Sequence, residues 1–127
     1  MDNPFGAAGT ADYVLLTSYK KDGTPVGTPL WAVLDQGRLA MWTVTGSWKV
    51  KRIRRDPRVT VQACSLRGKP HGEIVSGTAR VLDAEGTARV RGLITRKFPI
   101  QGRITVYGSL LRRGKDGTVG IEITADS

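Results

Sequence analysis

Apolar and polar residues alternate along the first third of the chain, in runs separated by short turns. Residues 12–20 (DYVLLTSYK), 26–34 (VGTPLWAVL) and 38–44 (RLAMWTV) are rich in β-branched and aromatic residues, which indicates three strands. The turn sequences KKDGTP and DQG join these runs, so we predict an antiparallel meander. Pro29 interrupts the second strand and is expected at a sheet edge or a bulge, because proline lacks the N–H that a ladder uses.

The second half of the chain continues the strand pattern. Residues 58–65 (RVTVQACS) place Val59, Val61 and Ala63 on one face. Residues 72–82 (GEIVSGTARVL) predict a longer strand in which Gly77 suggests a bend or bulge. A final strand follows from the alternation of residues 119–123. Six or seven short strands favour a closed, mainly β barrel, since closure removes exposed strand edges.

Two segments have helical spacing. In residues 47–55, a Ser47 cap would place Val50 and Ile53 on one buried face. Asp83 is a candidate cap for a second helix over residues 84–98, which carries apolar residues at helical intervals. Residues 99–117 are harder to assign: 104–111 (ITVYGSLL) fit a strand or a helix, and 112–117 (RRGKDG) are expected to form a loop. Residues 1–10 resemble a loose terminus. We therefore expect one domain over residues 1–127.

Composition narrows the possible functions. The chain has 127 residues, one Cys and one His, so an intramolecular disulfide and a Cys- or His-based metal site are excluded. No apolar stretch approaches the length of about 20 residues that spans a bilayer, so no membrane partner is expected. The N-terminus has neither a basic region nor an apolar core typical of an export signal, which predicts a cytoplasmic protein.

Positive charge is concentrated in one segment of the sequence. The formal net charge of +9 indicates an anionic partner, and residues 45–58 (TGSWKVKRIRRDPR) concentrate basic side chains. A helix N-terminus attracts anions through its free N–H groups and its dipole. Ser47 and Lys49 would add a hydroxyl and an ammonium there, completing a phosphate cradle. The alternative is that Ser47 only caps the helix and Lys49 is solvated.

Other candidate chemistry is sparse. His71 lies in a turn-like sequence without an evident partner, and the Asp residues occupy turns or caps, so hydrolytic acid–base sites are not indicated. Cys64 is expected to fill space, and Trp42 to pack in the core, whereas Trp31 and Trp48 suit either packing or stacking on a ligand. A redox reaction would therefore have to be carried by a cofactor.

The order of the motifs resembles the split β-barrel flavin and deazaflavin oxidoreductases, which are related to pyridoxamine 5′-phosphate oxidase. The resemblance rests on DGTPVGTPLWAV, on WTVTGSWKVKRIRRDPRV and on GEIVSGTARVL, and it is greatest to the actinobacterial branch that uses the deazaflavin coenzyme F420. It implies an antiparallel split β-barrel of six to seven strands with two or three short helices. It also implies a homodimer with the cofactor between the subunits. The C-terminal arginine signature of true pyridoxamine phosphate oxidases is absent.

The resemblance also implies roles for individual residues. Ser47 and Lys49 match the positions that bind the cofactor phosphate, and Thr43 matches a position near the ribityl chain. The stretch that lies along the deazaflavin ring corresponds to Thr28, Pro29, Leu30 and Trp31. The oligoglutamate tail of F420 would meet Lys51, Arg52 and Arg55.

These expectations define a principal function and three alternatives. The principal one is an F420-dependent reductase that transfers a hydride to a small conjugated substrate, with Tyr13, Tyr19, Tyr107 or solvent completing protonation. The alternatives are an FMN-binding split-barrel reductase, a protein that binds F420 without catalysis and, less favoured, a nucleic-acid-binding module. Neither the catalytic residues nor the substrate are identified by the sequence.

Overall fold

The computed structural model describes residues 3–126, which form a closed six-stranded antiparallel barrel. The strands are β1 (Tyr13–Tyr19), β2 (Pro25–Asp35), β3 (Arg38–Val44), β4 (Arg58–Cys64), β5 (Val75–Val81) and β6 (Thr118–Ala125). Their order around the barrel is β1-β2-β3-β6-β5-β4, and β4 pairs with β1 to close it. The predicted mainly β split-barrel class is confirmed.

Four α-helices surround the barrel rather than the expected two or three. They are α1 (Ala7–Thr10), α2 (Trp48–Arg55), α3 (Ala84–Lys97) and α4 (Gln101–Arg113), and a short 3-10 turn (Lys115–Gly117) leads into β6. The predicted helices at 47–55 and 84–98 are confirmed. Asp83 caps α3 by accepting a hydrogen bond from the Gly86 N–H at 2.8 Å. None of the helices between residues 3 and 126 is long and apolar enough to cross a bilayer.

The core has two parts. The barrel interior is filled by alternating side chains of all six strands, and Val50 and Ile53 of α2 join it at 1% and 2% exposure. A second cluster lies outside the barrel, where Val90, Ile94 and Phe98 of α3 pack with α4 and with the outer faces of β2 and β3. The predicted apolar faces of both helices are therefore buried as the spacing requires.

Three expectations need correction. The N-terminal segment is not loose over its described residues, because Phe5 and Ala8 are fully buried in the barrel cluster; Met1 and Asp2 lie outside the described residues. The strand expected at 72–82 begins only at Val75, since Gly72 has a φ of 78° that ends extended pairing. Gly77 makes no bulge: it stays in register with Val59 and Ala125.

Candidate functional site

A groove opens where the ladder between β2 and β3 stops. The two strands pair from Asp35–Arg38 to Ala32–Met41 and no further. If the ladder continued in the same register, Trp31 would pair with Trp42, Leu30 with Thr43 and Pro29 with Val44. Instead the strands separate, and the six residues beyond the last pair line a groove of about 400 Å³: Pro29, Leu30, Trp31, Trp42, Thr43 and Val44. The candidate site is thus the place where β2 and β3 separate.

Pro29 fits this opening. It lies in the half of β2 that pairs with β1 alone, opposite Leu15. Its missing N–H therefore removes no bond to β3, and the expectation of an edge position is confirmed. Thr28, one residue earlier, is half-buried opposite Leu16 of β1. Of the residues expected along a cofactor ring and ribityl chain, the structure brings Pro29, Leu30, Trp31 and Thr43 together.

Helix α4 supplies the part of the groove that the sequence did not reveal. Thr105, Ser109 and Arg113 line it, together with Thr118 at the start of β6 and Tyr13 of β1. The first three are spaced at four-residue intervals, which is one face of a helix. That spacing would have been a usable signal if residues 99–117 had been assigned as helical.

The first turn of α2 follows the groove along the chain. Ser47 is the N-cap, but its side chain makes no capping hydrogen bond, and its Oγ is buried without a partner. The Ser47 N–H donates to the Val44 carbonyl at 3.2 Å, which ties this turn to the groove strand β3. The alternative reading of Ser47 as an ordinary side-chain cap is therefore wrong.

Lys49 is half-buried on the same turn. Burial, and then the positive charge of Arg52, lower the pKa of Lys49 below its ordinary value of 10.5. Within residues 3–126 no carboxylate lies within 4.0 Å of its ammonium. A bound anion would oppose this lowering of the Lys49 pKa, because it would accept hydrogen bonds from the ammonium and offset the positive charge of Arg52.

A second cavity, of about 640 Å³, lies beside the rest of α2. Its lining is one exposed aromatic ring and five cations: Trp48, Lys20, Lys21, Lys51, Arg52 and Arg55. Arg52 and Arg55 are anchored to β1, since Arg52 Nε donates to Ser18 Oγ at 2.7 Å and Arg55 donates to the Tyr19 carbonyl at 2.5 Å. We call this the cationic cavity. It unites the three residues expected near an oligoglutamate tail.

The three tryptophans have different surroundings. Trp31 stacks on Phe98 at a centroid distance of 4.7 Å and also lines the groove. Trp42 packs against the second cluster, as expected, but its Nε1 is buried without a partner. Trp48 is 72% exposed, with the Lys51 ammonium 4.6 Å from its ring centroid. Trp31 and Trp48 thus each present ring surface to a cavity.

The unpartnered polar atoms are concentrated at this end of the barrel. Among residues 3–126, the buried side-chain atoms without a hydrogen bond are Trp42 Nε1, Ser47 Oγ and Thr118 Oγ1. Buried polar groups in folded proteins nearly always have a partner, and an exception marks a bound water, an ion or a functional site. Trp42 and Thr118 line the groove, and Ser47 is tied to the groove residue Val44. The arrangement fits a ligand with acceptor oxygens.

Other candidate residues are structural. Asp22 accepts a bond from the Thr24 N–H in its turn, and hydrogen bonds from Thr24 lower its pKa. Hydrogen bonds from Arg58 lower the pKa of Asp56 to about 2. Cys64 is buried, and burial raises the pKa of its thiol, which disfavours the reactive thiolate. His71 is exposed in a loop.

Comparison with known proteins gives a family and a set of similar folds. The family model of pyridoxamine 5′-phosphate oxidase matches residues 9–124. No curated protein matches the chain. A conserved hypothetical protein of Mycobacterium tuberculosis is similar in structure, with a TM-score of 0.69 and 22% identity over 93% of this chain and 75% of that one.

Two further structures have informative names. An F420 reductase aligns with a TM-score of 0.59 and 18% identity, over 100% of this chain and 97% of that one. The heme storage protein HutZ of Vibrio cholerae aligns with a TM-score of 0.70 and 13% identity, over 93% of this chain and 84% of that one. At these identities the likeness shows a shared fold.

Proposed function

Because the chain belongs to the pyridoxamine 5′-phosphate oxidase family, we propose that it is an oxidoreductase that uses the deazaflavin coenzyme F420 to reduce a small conjugated organic molecule. The observation that carries the proposal is the opening of the β2–β3 ladder beside the first turn of α2. A flat ring and a phosphate would find separate but adjoining places there. Sequence similarity to the F420-using branch supports the choice of cofactor.

The phosphate would be held by the first turn of α2. Among residues 3–126, Ser47 Oγ has no hydrogen-bond partner, and no carboxylate lies within 4.0 Å of the Lys49 ammonium. The first N–H groups of α2 make no intrahelical hydrogen bonds. These donors favour an anionic phosphate group over a neutral ligand.

The ring and the ribityl chain would occupy the groove. Pro29, Leu30 and Trp31 provide an apolar side, with Thr28 just before them, and Thr43 provides a hydroxyl. When bound, the deazaflavin supplies a hydride. The protein positions the ring, limits access of water and holds a proton donor nearby.

Tyr13 is the tyrosine best suited to hold that proton. It lines the groove, whereas Tyr19 lies beside Arg58 with 5.9 Å between its ring centroid and the guanidinium. Tyr107 is 58% exposed on α4. Tyr13→Phe should therefore slow turnover while leaving cofactor affinity unchanged.

The cationic cavity favours F420 over FMN. A single phosphate would be served by Ser47 and Lys49. The other cations, which make no ion pair with residues 3–126, would then be free for a further anion: Lys51, Arg52, Arg55, Lys20 and Lys21. An oligoglutamate tail would supply several carboxylates to these cations. FMN has no such tail.

Calorimetric titration with F420, F420 stripped of its glutamates, and FMN tests the proposal. We expect F420 to bind tightest, the stripped form to bind more weakly, and the difference to shrink at high salt because exposed charges are screened. Tighter binding of FMN would establish the FMN-dependent alternative. Binding of F420 without reduction of any conjugated acceptor would leave a cofactor-binding protein.

The proposal includes a homodimer. Four large apolar side chains on one face of α4 are exposed, at 74%, 71%, 58% and 91%: Ile100, Ile104, Tyr107 and Leu111. We call them the α4 stripe. A contiguous apolar patch of this kind is typical of an interaction surface, and a second copy that covers it would lie next to the groove, whose lining the other face of α4 supplies. A cytoplasmic location stays a prediction from the sequence.

A further inference from the structure

The groove contains hydrogen-bond donors and hydroxyls but no carboxylate or amide side chain. Its polar lining consists of Arg113, Trp42, Tyr13 and the hydroxyl residues Thr43, Thr105, Ser109 and Thr118. Arginine and the indole N–H can only donate. The hydroxyls can also accept, but a ligand group that bonds Arg113 or the Trp42 indole must accept hydrogen bonds, and one beside Arg113 gains most from a negative charge.

Arg113 is the one cation that lines the groove. Within residues 3–126, no Asp or Glu oxygen lies within 4.0 Å of its guanidinium, whereas Arg80 and Arg89 both contact Glu122. On its N-terminal side, residues 86–113 contain seven Lys and Arg and no Asp or Glu, and Asp116, three residues after Arg113, makes no ion pair with it. The charge of Arg113 is thus available to a ligand.

Two buried donors give independent support. Thr118 is 5% exposed, and its Oγ1 has no hydrogen-bond partner among residues 3–126. The Trp42 Nε1 atom is likewise buried and without a partner there. A buried donor that remains unpaired costs about 1–3 kcal/mol. An acceptor oxygen would recover part of that cost after a local side-chain movement, because neither atom has accessible surface of its own in the unliganded protein.

The aromatic lining sets the shape of the ligand. Tyr13 and Trp31 lie at a centroid distance of 6.5 Å, and Trp42 follows on the neighbouring strand. Aromatic faces favour flat, conjugated molecules. The planar guanidinium fork in turn matches a carboxylate with two parallel hydrogen bonds.

We propose that the substrate is a flat conjugated carboxylate, and that Arg113 binds its carboxylate group while Trp42 and Thr118 donate to acceptor oxygens. Arg113 is then a specificity residue for the reaction. This inference rests on the proposed function, since it places the substrate at the Arg113 and Thr118 end of the groove, beside the deazaflavin ring proposed to lie along Pro29–Trp31.

The test compares two probes of the same shape that differ in charge, trans-cinnamate and trans-cinnamamide. Both are titrated calorimetrically into the full chain, first without and then with F420. We expect the wild-type protein to bind cinnamate at least about tenfold more tightly than cinnamamide, a ratio on the scale of one charge-assisted hydrogen bond. Arg113→Ala should abolish that preference, and Arg113→Lys should restore part of it.

Arg112→Ala is the matched control. Arg112 is the preceding residue, is also exposed and does not line the groove, so the preference for cinnamate over cinnamamide should be unchanged. Thr118→Val should weaken the binding of cinnamate and of cinnamamide by a similar factor, because it removes an uncharged hydrogen-bond donor. Melting temperatures of all variants check that the fold is retained.

Separate outcomes decide the two proposals. Equal binding of cinnamate and cinnamamide, binding of neither probe, or an equal effect of Arg112→Ala would overturn the carboxylate assignment. F420 titrated into the same variants reports on the cofactor: if F420 binds and the charge preference is missing, only the present inference fails. If the preference is present and F420 does not bind, the carboxylate site stands and the deazaflavin function fails.

Discussion

Ser47 and Lys49 occupy one helical turn, and each bears a polar group that the protein itself does not satisfy. Ser47 Oγ is buried without a partner, and Lys49 is half-buried without a nearby carboxylate in the described chain. Both features cost stability in the unliganded protein. A bound anion would compensate both costs, since it would accept from Ser47 Oγ and pair with the Lys49 ammonium.

Lys49→Ala should weaken F420 binding by about 1.5–3 kcal/mol, the value of a charge-assisted hydrogen bond. The melting temperature of the unliganded protein should stay the same or rise, because folding already disfavours the charged form of Lys49. Calorimetry and thermal unfolding measure the two effects. Arg54→Ala, an exposed change on the same helix, is the control. An unchanged affinity together with a large loss of stability would make Lys49 a structural residue.

The pH dependence of binding should report the same ammonium. Burial and Arg52 lower its pKa in the free protein, and a bound phosphate would raise it again, so binding should take up a proton. Affinity is then greatest below the free-state pKa and falls as pH rises through it towards the bound-state value. Titrations in buffers of different ionisation enthalpy measure the uptake, which Lys49→Ala should remove.

At the scale of elements, β5 and α3 use glycine in opposite ways. A Cβ at Gly77 would lie 2.8 Å from the Thr124 carbonyl oxygen and 2.9 Å from the Ile123 side chain, both on β6. A Cβ at Gly92 of α3 would meet nothing within 4 Å. The first glycine permits two strands to approach closely, while the second leaves a helix less stable than alanine would.

Gly77→Ala should therefore destabilise the protein by about 1–3 kcal/mol, since a backbone atom cannot move aside cheaply. Gly92→Ala should stabilise it by about 0.5–1 kcal/mol through helix propensity. Denaturant unfolding of the two variants beside the wild type measures both values. A neutral Gly77→Ala would mean that β5 and β6 separate more easily than their register indicates.

At the scale of the whole molecule, charge and apolar surface are both unevenly distributed. The cationic cavity and the residues from 86 to 113 concentrate positive charge around the groove and α2, which should speed the approach of anionic ligands at low salt. The same charge motivates the nucleic-acid alternative. Gel shifts with nucleic acid at rising salt test that alternative. Tight binding of nucleic acid at physiological salt would favour a nucleic-acid partner over a small anionic ligand.

The α4 stripe leads to a prediction about assembly. Ile104→Asp should raise the dimer dissociation constant by about 10–100-fold, because an apolar side chain of this size contributes about 1.5–3 kcal/mol when buried. Leu66→Asp is the control, since Leu66 is also exposed, at 69%, but lies on the loop after β4. Sedimentation equilibrium measures the constants. A wild-type protein that stays monomeric at high concentration would contradict the homodimer.

The local pattern of the chain was sufficient for most elements of the fold. Strands and helix caps depend on residues that are neighbours in sequence. The strands at 38–44 and 58–64, the turns between strands and the Asp83 cap could therefore be predicted without knowledge of the fold. Ser47 and Lys49 were likewise predicted as an anion site from a helix start and a nearby lysine. The structure adds that Ser47 Oγ has no hydrogen-bond partner and Lys49 no ion-pair partner among residues 3–126.

Tertiary packing decided the rest. Residues 101–113 alternate in a way that also suits a strand, and they are helical because Val106 and Leu110 dock on Ile94 and Phe98. The groove depends on where the β2–β3 ladder stops, which is a relation between residues far apart in sequence. Arg113 lines the groove only because α4 lies beside that opening. A sequence specifies side chains and local periodicity, whereas a site requires distances between elements, and only the packed core fixes these.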